Sequence, residues 1–130
     1  MASRVWLIFI NPIFVGFVFT IMTLLIVALS HGKGKKFDSN HLEKLANTNS
    51  CDSCDLIEAN FTGANLLVAN LGGANVSGAD FSFANLSGVN FKKANLRGAN
   101  FTEANLLGAN LRKADLRDAN FYKADLGRAD

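Results

Sequence analysis

Phenylalanine stands at positions 61, 81, 101 and 121, twenty residues apart, inside a segment that otherwise repeats every five. From Cys54 onward the chain reads Ala-(Asn/Asp)-(Leu/Phe)-x-x. The Leu/Phe position is here called the centre, preceded by the minus-one Asn/Asp and the minus-two Ala, and followed by two outward positions. Of the sixteen minus-two sites from 54 to 129, fourteen are Ala, with Cys54 and Val89 the exceptions; all sixteen minus-one sites, from Asp55 to Asp130, are Asn or Asp. A period of five fits neither a regular strand, which needs two, nor an amphipathic helix, which needs about 3.6. A chain that buries the minus-two residue and the centre of every repeat must therefore turn a corner within each one. The obligatory Asn/Asp suits such a corner, because its side chain bonds nearby backbone and tolerates unusual dihedrals.

If four corners close one coil, each centre sits above the centre twenty residues earlier, and the sequence supports this independently. One column is Phe61, Phe81, Phe101 and Phe121; another is Leu66, Leu86, Leu106 and Leu126. A third holds Leu56, Val76, Leu96 and Leu116, and a fourth Leu71, Phe91 and Leu111. With these residues the segment 54–130 resembles the pentapeptide-repeat proteins, and the run from Leu42 through Cys51, Cys54 and Leu56 is similar to leaders of bacterial, especially cyanobacterial, members. The resemblance implies an all-β solenoid, a right-handed quadrilateral β-helix. About four coils at strand spacing would form a rod ~19 Å long. No repeat can bury its own apolar residues, so stacking must supply the core. Val89, the one large minus-two residue beside Ala neighbours, is expected to swell its coil.

The fold predicted at the two ends differs. Residues 37–50 read as a cap, with Asn40 and Glu43 as a capping pair and Leu42 and Leu45 as a short apolar stripe. Such a helix would cover the open first coil of a β-helix spanning 51–130. At the other end the sequence stops mid-repeat at Ala129-Asp130. Strand edges left unpaired there invite either end-to-end pairing into a homodimer or fraying.

Val5–Leu29 is a 25-residue stretch without charge, ~37 Å long as a helix and enough to cross a bilayer. Residues 1–30 are therefore expected to be a single-pass transmembrane anchor, contacting the membrane through 5–29, or an uncleaved signal. The run exceeds the ordinary h-region of a cleaved signal peptide, about 7–15 residues. Residues 31–36, rich in Gly and Lys, read as a linker. Lys33, Lys35 and Lys36 outnumber Arg4 across the span, so positive-inside reasoning places the repeats in the cytoplasm. Export after signal cleavage is the alternative.

The repeats themselves are neutral, with eight acidic and eight basic side chains in 54–130, and every base lies from Lys92 onward. Lys92, Lys93, Arg112 and Lys113 form a candidate basic surface, with Arg97 and Arg117 adjoining. Leu67, Val68, Phe83 and Leu107 occupy outward positions and form a candidate apolar contact surface. Plain solvation is the competing account of the bases, and scattered surface hydrophobes that of the apolar set.

Cys51 and Cys54 make a Cys-x-x-Cys. Cys54 takes an Ala site and Cys51 a centre site, so both should face inward as small buried thiols. A disulfide between them becomes credible if the domain is exported. Two cysteines with His31 and His41 at unconvincing spacing do not make a zinc site, and His41 reads as a surface residue. No catalytic, cofactor-binding or metal-binding residue is expected, and the Asn-x-Ser/Thr matches are products of the repeat.

The expected function is a non-enzymatic, membrane-anchored scaffold or protein-interaction module with an unnamed protein partner. The resemblance supplies an alternative, since some family members mimic duplex DNA and modulate gyrase. Those rods are generally longer and acidic, which weighs against mimicry and against nucleic acid as a partner here. A thiol oxidoreductase built on Cys51 and Cys54 is the third reading.

Overall fold

The computed structural model describes residues 37–130. The anchor expected over 1–30 and the linker over 31–36 lie outside the described residues. Among the described residues no helix is long and apolar enough to cross a membrane.

Helix α1 runs Ser39–Thr48 and buries Leu42, Leu45 and Ala46, the i, i+3, i+4 stripe of an amphipathic helix. Its N-cap is Asp38, whose carboxylate accepts the Asn40 N–H at 2.8 Å. This corrects the expected Asn40–Glu43 pair: the helix begins two residues earlier, and Asn40 supplies an orphan amide rather than a cap. Asn49 ends the helix in the left-handed region, φ 53°, with its N–H on the Leu45 carbonyl.

Beyond α1 the chain winds as a β-helix with a twenty-residue turn. Twelve parallel bridges join each minus-one position to the one twenty residues later, from Ser50↔Asn70 to Asn105↔Asp125. The corner is built differently from the sequence expectation. Each turn runs from the centre to the next minus-two residue, whose N–H returns to the centre's carbonyl, as in Ala64 N to Phe61 O at 2.9 Å. Positive φ falls on the second outward residue, from Ser53 at 57° to Arg128 at 58°, and not on the Asn/Asp. That is the demand of a turn needing φ > 0 at its third residue.

The Asn/Asp has another task, visible in the repeat of Phe81. Phe81 N–H donates to Asn100 O, Phe83 N–H to Thr102 O, Ala84 N–H to Phe81 O and Asn85 N–H to Ala64 O. Only the Ser82 N–H is left, and the Asp80 carboxylate accepts it at 2.9 Å. In the inner coils ladder and turn satisfy four amides of a repeat in this way, and the minus-one side chain takes the fifth. An unpaired amide there would be costly. Asn adds a second bond, since its Nδ2 donates to the side chain one coil below: Asn90 to Asn70 Oδ1 at 2.8 Å, Asn95 to Asn75 Oδ1 at 3.0 Å.

Inside the square the centres stack as the columns require. Phe61, Phe81, Phe101 and Phe121 lie face to face with ring centroids 4.8–5.1 Å apart, the spacing of neighbouring strands. Phe91 meets Phe81 and Phe101 edge-on. Val89 is fully buried, and its carbonyl accepts Asn110 N–H at 2.9 Å, the same length as at the Ala sites beside it. The expected swelling does not occur.

Candidate functional site

The outward residues stand at four corners, so each corner carries one pair per coil. The corner after the Leu66 column presents Leu67-Val68, Ser87-Gly88, Leu107-Gly108 and Gly127-Arg128. Val68 is 66% exposed, with Leu67 and Leu107 also open to solvent. Val68 holds φ 51°, an outlying conformation for a β-branched residue, and its Cγ1 lies 3.0 Å from where a Cβ on Gly88 would sit. Phe83, 59% exposed at φ 60°, stands on the preceding corner.

Lys92, Lys93, Arg112 and Lys113 stand on the following corner. Most neighbouring bases are already partnered: Arg97 with Asp118 at 3.2 Å, Arg117 with Asp115 at 2.6 Å and Lys123 with Glu103 at 3.7 Å. Arg112 reaches Asp130 at 3.1 Å. No carboxylate pairs with Lys92, Lys93 or Lys113 among the described residues. The sequence reading treated the apolar and basic sets as separate; in the fold they occupy adjoining corners. It missed Tyr122, which is exposed on the Phe83 corner with Lys123 Nζ 5.2 Å from its ring centre. The signal was an aromatic at an outward position.

Two pKa values depart clearly from their ordinary values, both in one ion pair, where the hydrogen bond to Asp115 raises that of Arg117. The Arg117 guanidinium, hydrogen-bonded through Nε and Nη2, lowers the Asp115 carboxyl from 3.8 to about 2.

Cys51 and Cys54 are joined by a disulfide, which corrects the expectation of free thiols. Both do face inward, 0% and 1% exposed. The turn between them brings their Cα atoms to 5.3 Å, inside the range a disulfide requires. Helix α1 lies against this first corner. Cys51 Sγ sits 3.0 Å from the His41 carbonyl, and Asp55 N–H donates to His41 Nδ1 at 3.0 Å. His41 is therefore a cap contact rather than a plain surface residue: it takes an amide that, in later coils, the preceding coil would accept. Among the described residues no cluster of three His, Cys, Asp or Glu could hold a metal ion.

Comparison with known proteins agrees with this geometry. The family described as pentapeptide repeats matches in eight copies, over residues 54–92, 69–102 and 94–130. The pentapeptide repeat protein Rfr23 from the cyanobacterium Cyanothece 51142 is similar with a TM-score of 0.58 and 32% identity, over 62% of this chain and 53% of that one. A pentapeptide repeat protein from the Arabidopsis thaliana thylakoid lumen gives 0.58 and 38%, over 59% and 54%. One from Nostoc PCC 7120 gives 0.54 and 29%, over 68% and 74%. The chain thus spans about half the length of the first two of these proteins. No curated protein matches. Stacked corners, the twenty-residue turn and these matches agree on a right-handed quadrilateral β-helix, and the chain belongs to the pentapeptide-repeat family.

Proposed function

We propose that this protein is a non-enzymatic scaffold or interaction module: a β-helix of about four coils, tethered to a membrane by residues 5–29, that meets a partner through its outward corners. The observation that carries this reading is Val68 and Phe83, large apolar side chains held open to solvent at positive φ. Large apolar side chains exposed on neighbouring corners mark a contact surface. Burial of both half-cystines beneath α1 weighs against thiol exchange, which needs access to a sulfur. Neutral repeats with unpaired lysines weigh against DNA mimicry.

The disulfide favours a second reading of location. Such bonds persist in oxidising compartments, so it supports the exported side of the membrane over the cytoplasmic side suggested by the flanking lysines. One similar structure is of a thylakoid-lumen protein. A dual reporter fused after Asp130, with alkaline extraction of the membranes, tests both points. An external signal on an extraction-resistant chain is expected; a cytoplasmic signal restores the charge-based topology, and complete extraction removes the tether. Gyrase inhibition by the purified full chain would overturn the scaffold reading in favour of mimicry.

A further inference from the structure

The apolar corner and the basic corner bound one side of the rod. Three stretches cross that side one above another: 67–73, 87–93 and 107–113. Together they carry Lys92, Lys93, Arg112 and Lys113 and not one carboxylate. Along one edge lie Leu67, Val68 and Leu107, and along the other lie the four bases. Between the edges runs the bridged row Asn70, Asn90 and Asn110, uncharged and half-buried. The acids bordering this side are Asp52, whose carboxylate leans over Gly72 at the first-coil end, and Asp130, which is engaged with Arg112.

We propose that this side of the β-helix lies flat on an anionic lipid surface. Leu67, Val68 and Leu107 enter the interfacial region, while Lys92, Lys93 and Lys113 meet phosphate headgroups. The proposal rests on the tethered reading of residues 5–29. A row of apolar side chains beside a row of cations is the arrangement that interfacial helices use to rest on anionic membranes, and here two corners of a solenoid produce it. Reach also favours lipid. Only residues 30–36 separate Leu29 from Phe37, a connection that spans under ~30 Å when fully extended. The tether therefore holds the rod at high effective concentration against the bilayer, before any soluble partner competes. Val68 adds a third argument. The equivalent positions one and two coils later are Gly88 and Gly108, which adopt positive φ freely, yet this coil keeps an exposed β-branched residue there.

The test uses the full chain reconstituted into vesicles of phosphatidylcholine alone or mixed with phosphatidylglycerol. A polarity-sensitive dye is attached at Ser87→Cys, on the apolar edge, or at Ser77→Cys, on the diagonally opposite corner, with the native disulfide intact. Spin-labelled lipid should quench the Ser87 dye in phosphatidylglycerol vesicles and leave the Ser77 dye bright. That quenching should vanish in pure phosphatidylcholine, and in a Lys92→Gln, Lys93→Gln, Lys113→Gln variant whose thermal unfolding is unchanged. A chain that floats with both vesicle types while both dyes stay bright overturns the proposal, keeps the tether and leaves an acidic protein as the complement of the lysines. Equal quenching at both sites also overturns it. Flotation with phosphatidylglycerol vesicles alone, reversed by salt, retains the lipid-facing side and removes the tether.

Discussion

The first coil and the last carry the same pattern and meet different fates. Leu56, Phe61 and Leu66 of the first are 0–1% exposed, while Leu116 and Leu126 of the last are 36% and 40% exposed. The last turn is still laddered to the coil before it, with Asn120 N–H on Ala99 O and Asp125 N–H on Ala104 O, both at 2.9 Å. What differs is the neighbour. A coil lies on one side of the first turn and α1, fastened beside the disulfide, on the other; the last turn has a coil on one side only among the described residues. The repeat therefore dictates where a centre points, and stacking dictates whether it is buried.

The largest expected effect tests this difference directly. Phe81→Ala, in the middle of the ring stack, should cost about 3–5 kcal/mol, and Leu126→Ala under about 1 kcal/mol, read as urea midpoints. Equal losses would break the comparison. A smaller effect should sharpen the account of the first coil. Paired Cys51→Ser and Cys54→Ser substitutions should cost about 2 kcal/mol on loop-closure grounds, with amide exchange rising in α1 and the first coil. A rise spread evenly to Asp130 would mean that the lock is not local.

Smaller again, and of opposite sign, is Val68→Gly. Relief of the left-handed backbone should stabilise the fold by about 1 kcal/mol in thermal unfolding. A loss instead would show that contact with Gly88 outweighs the strain. The smallest effect belongs to the last coil, at Asp115. With its folded-state pKa lowered from 3.8 to about 2, chiefly by the Arg117 hydrogen bond, the carboxylate contributes stability that is present above pH 3.8 and lost as pH falls toward 2. The pair is exposed, so the change should be slight. Asp115→Asn should flatten the melting temperature between pH 4 and pH 2; an unchanged slope would locate the acid sensitivity elsewhere.

The architecture was legible because a tandem pattern reports the same environment many times over. The columns, the square turn and the inward direction of Cys51 and Cys54 all follow from positions alone. Features that depend on one hydrogen bond or one turn were not legible. Asp38 and Asn40 both match a cap, and only the start of α1 separates them. The corner was placed on the Asn/Asp because that residue type suits corners, whereas φ turns positive three residues later, at Val68 or Phe83. The disulfide depends on a Cα separation that the turn sets. For the candidate surface, Leu67, Val68, Phe83, Leu107 and the four bases were all marked, but reading columns singly hid the fact that two of them share a side.

The phenylalanine stack also sets a quantum on the length of the molecule. Inserting five residues between Phe81 and Lys92 would rotate everything downstream by a quarter turn, carrying Phe101 and Phe121 onto the column of Leu66 and Leu86 and moving the lysines to another side. Inserting twenty leaves every ring above its partner. Descendants of such a chain should therefore grow or shrink by whole turns, and five-residue indels should be purged although each inserted unit would satisfy the local pattern.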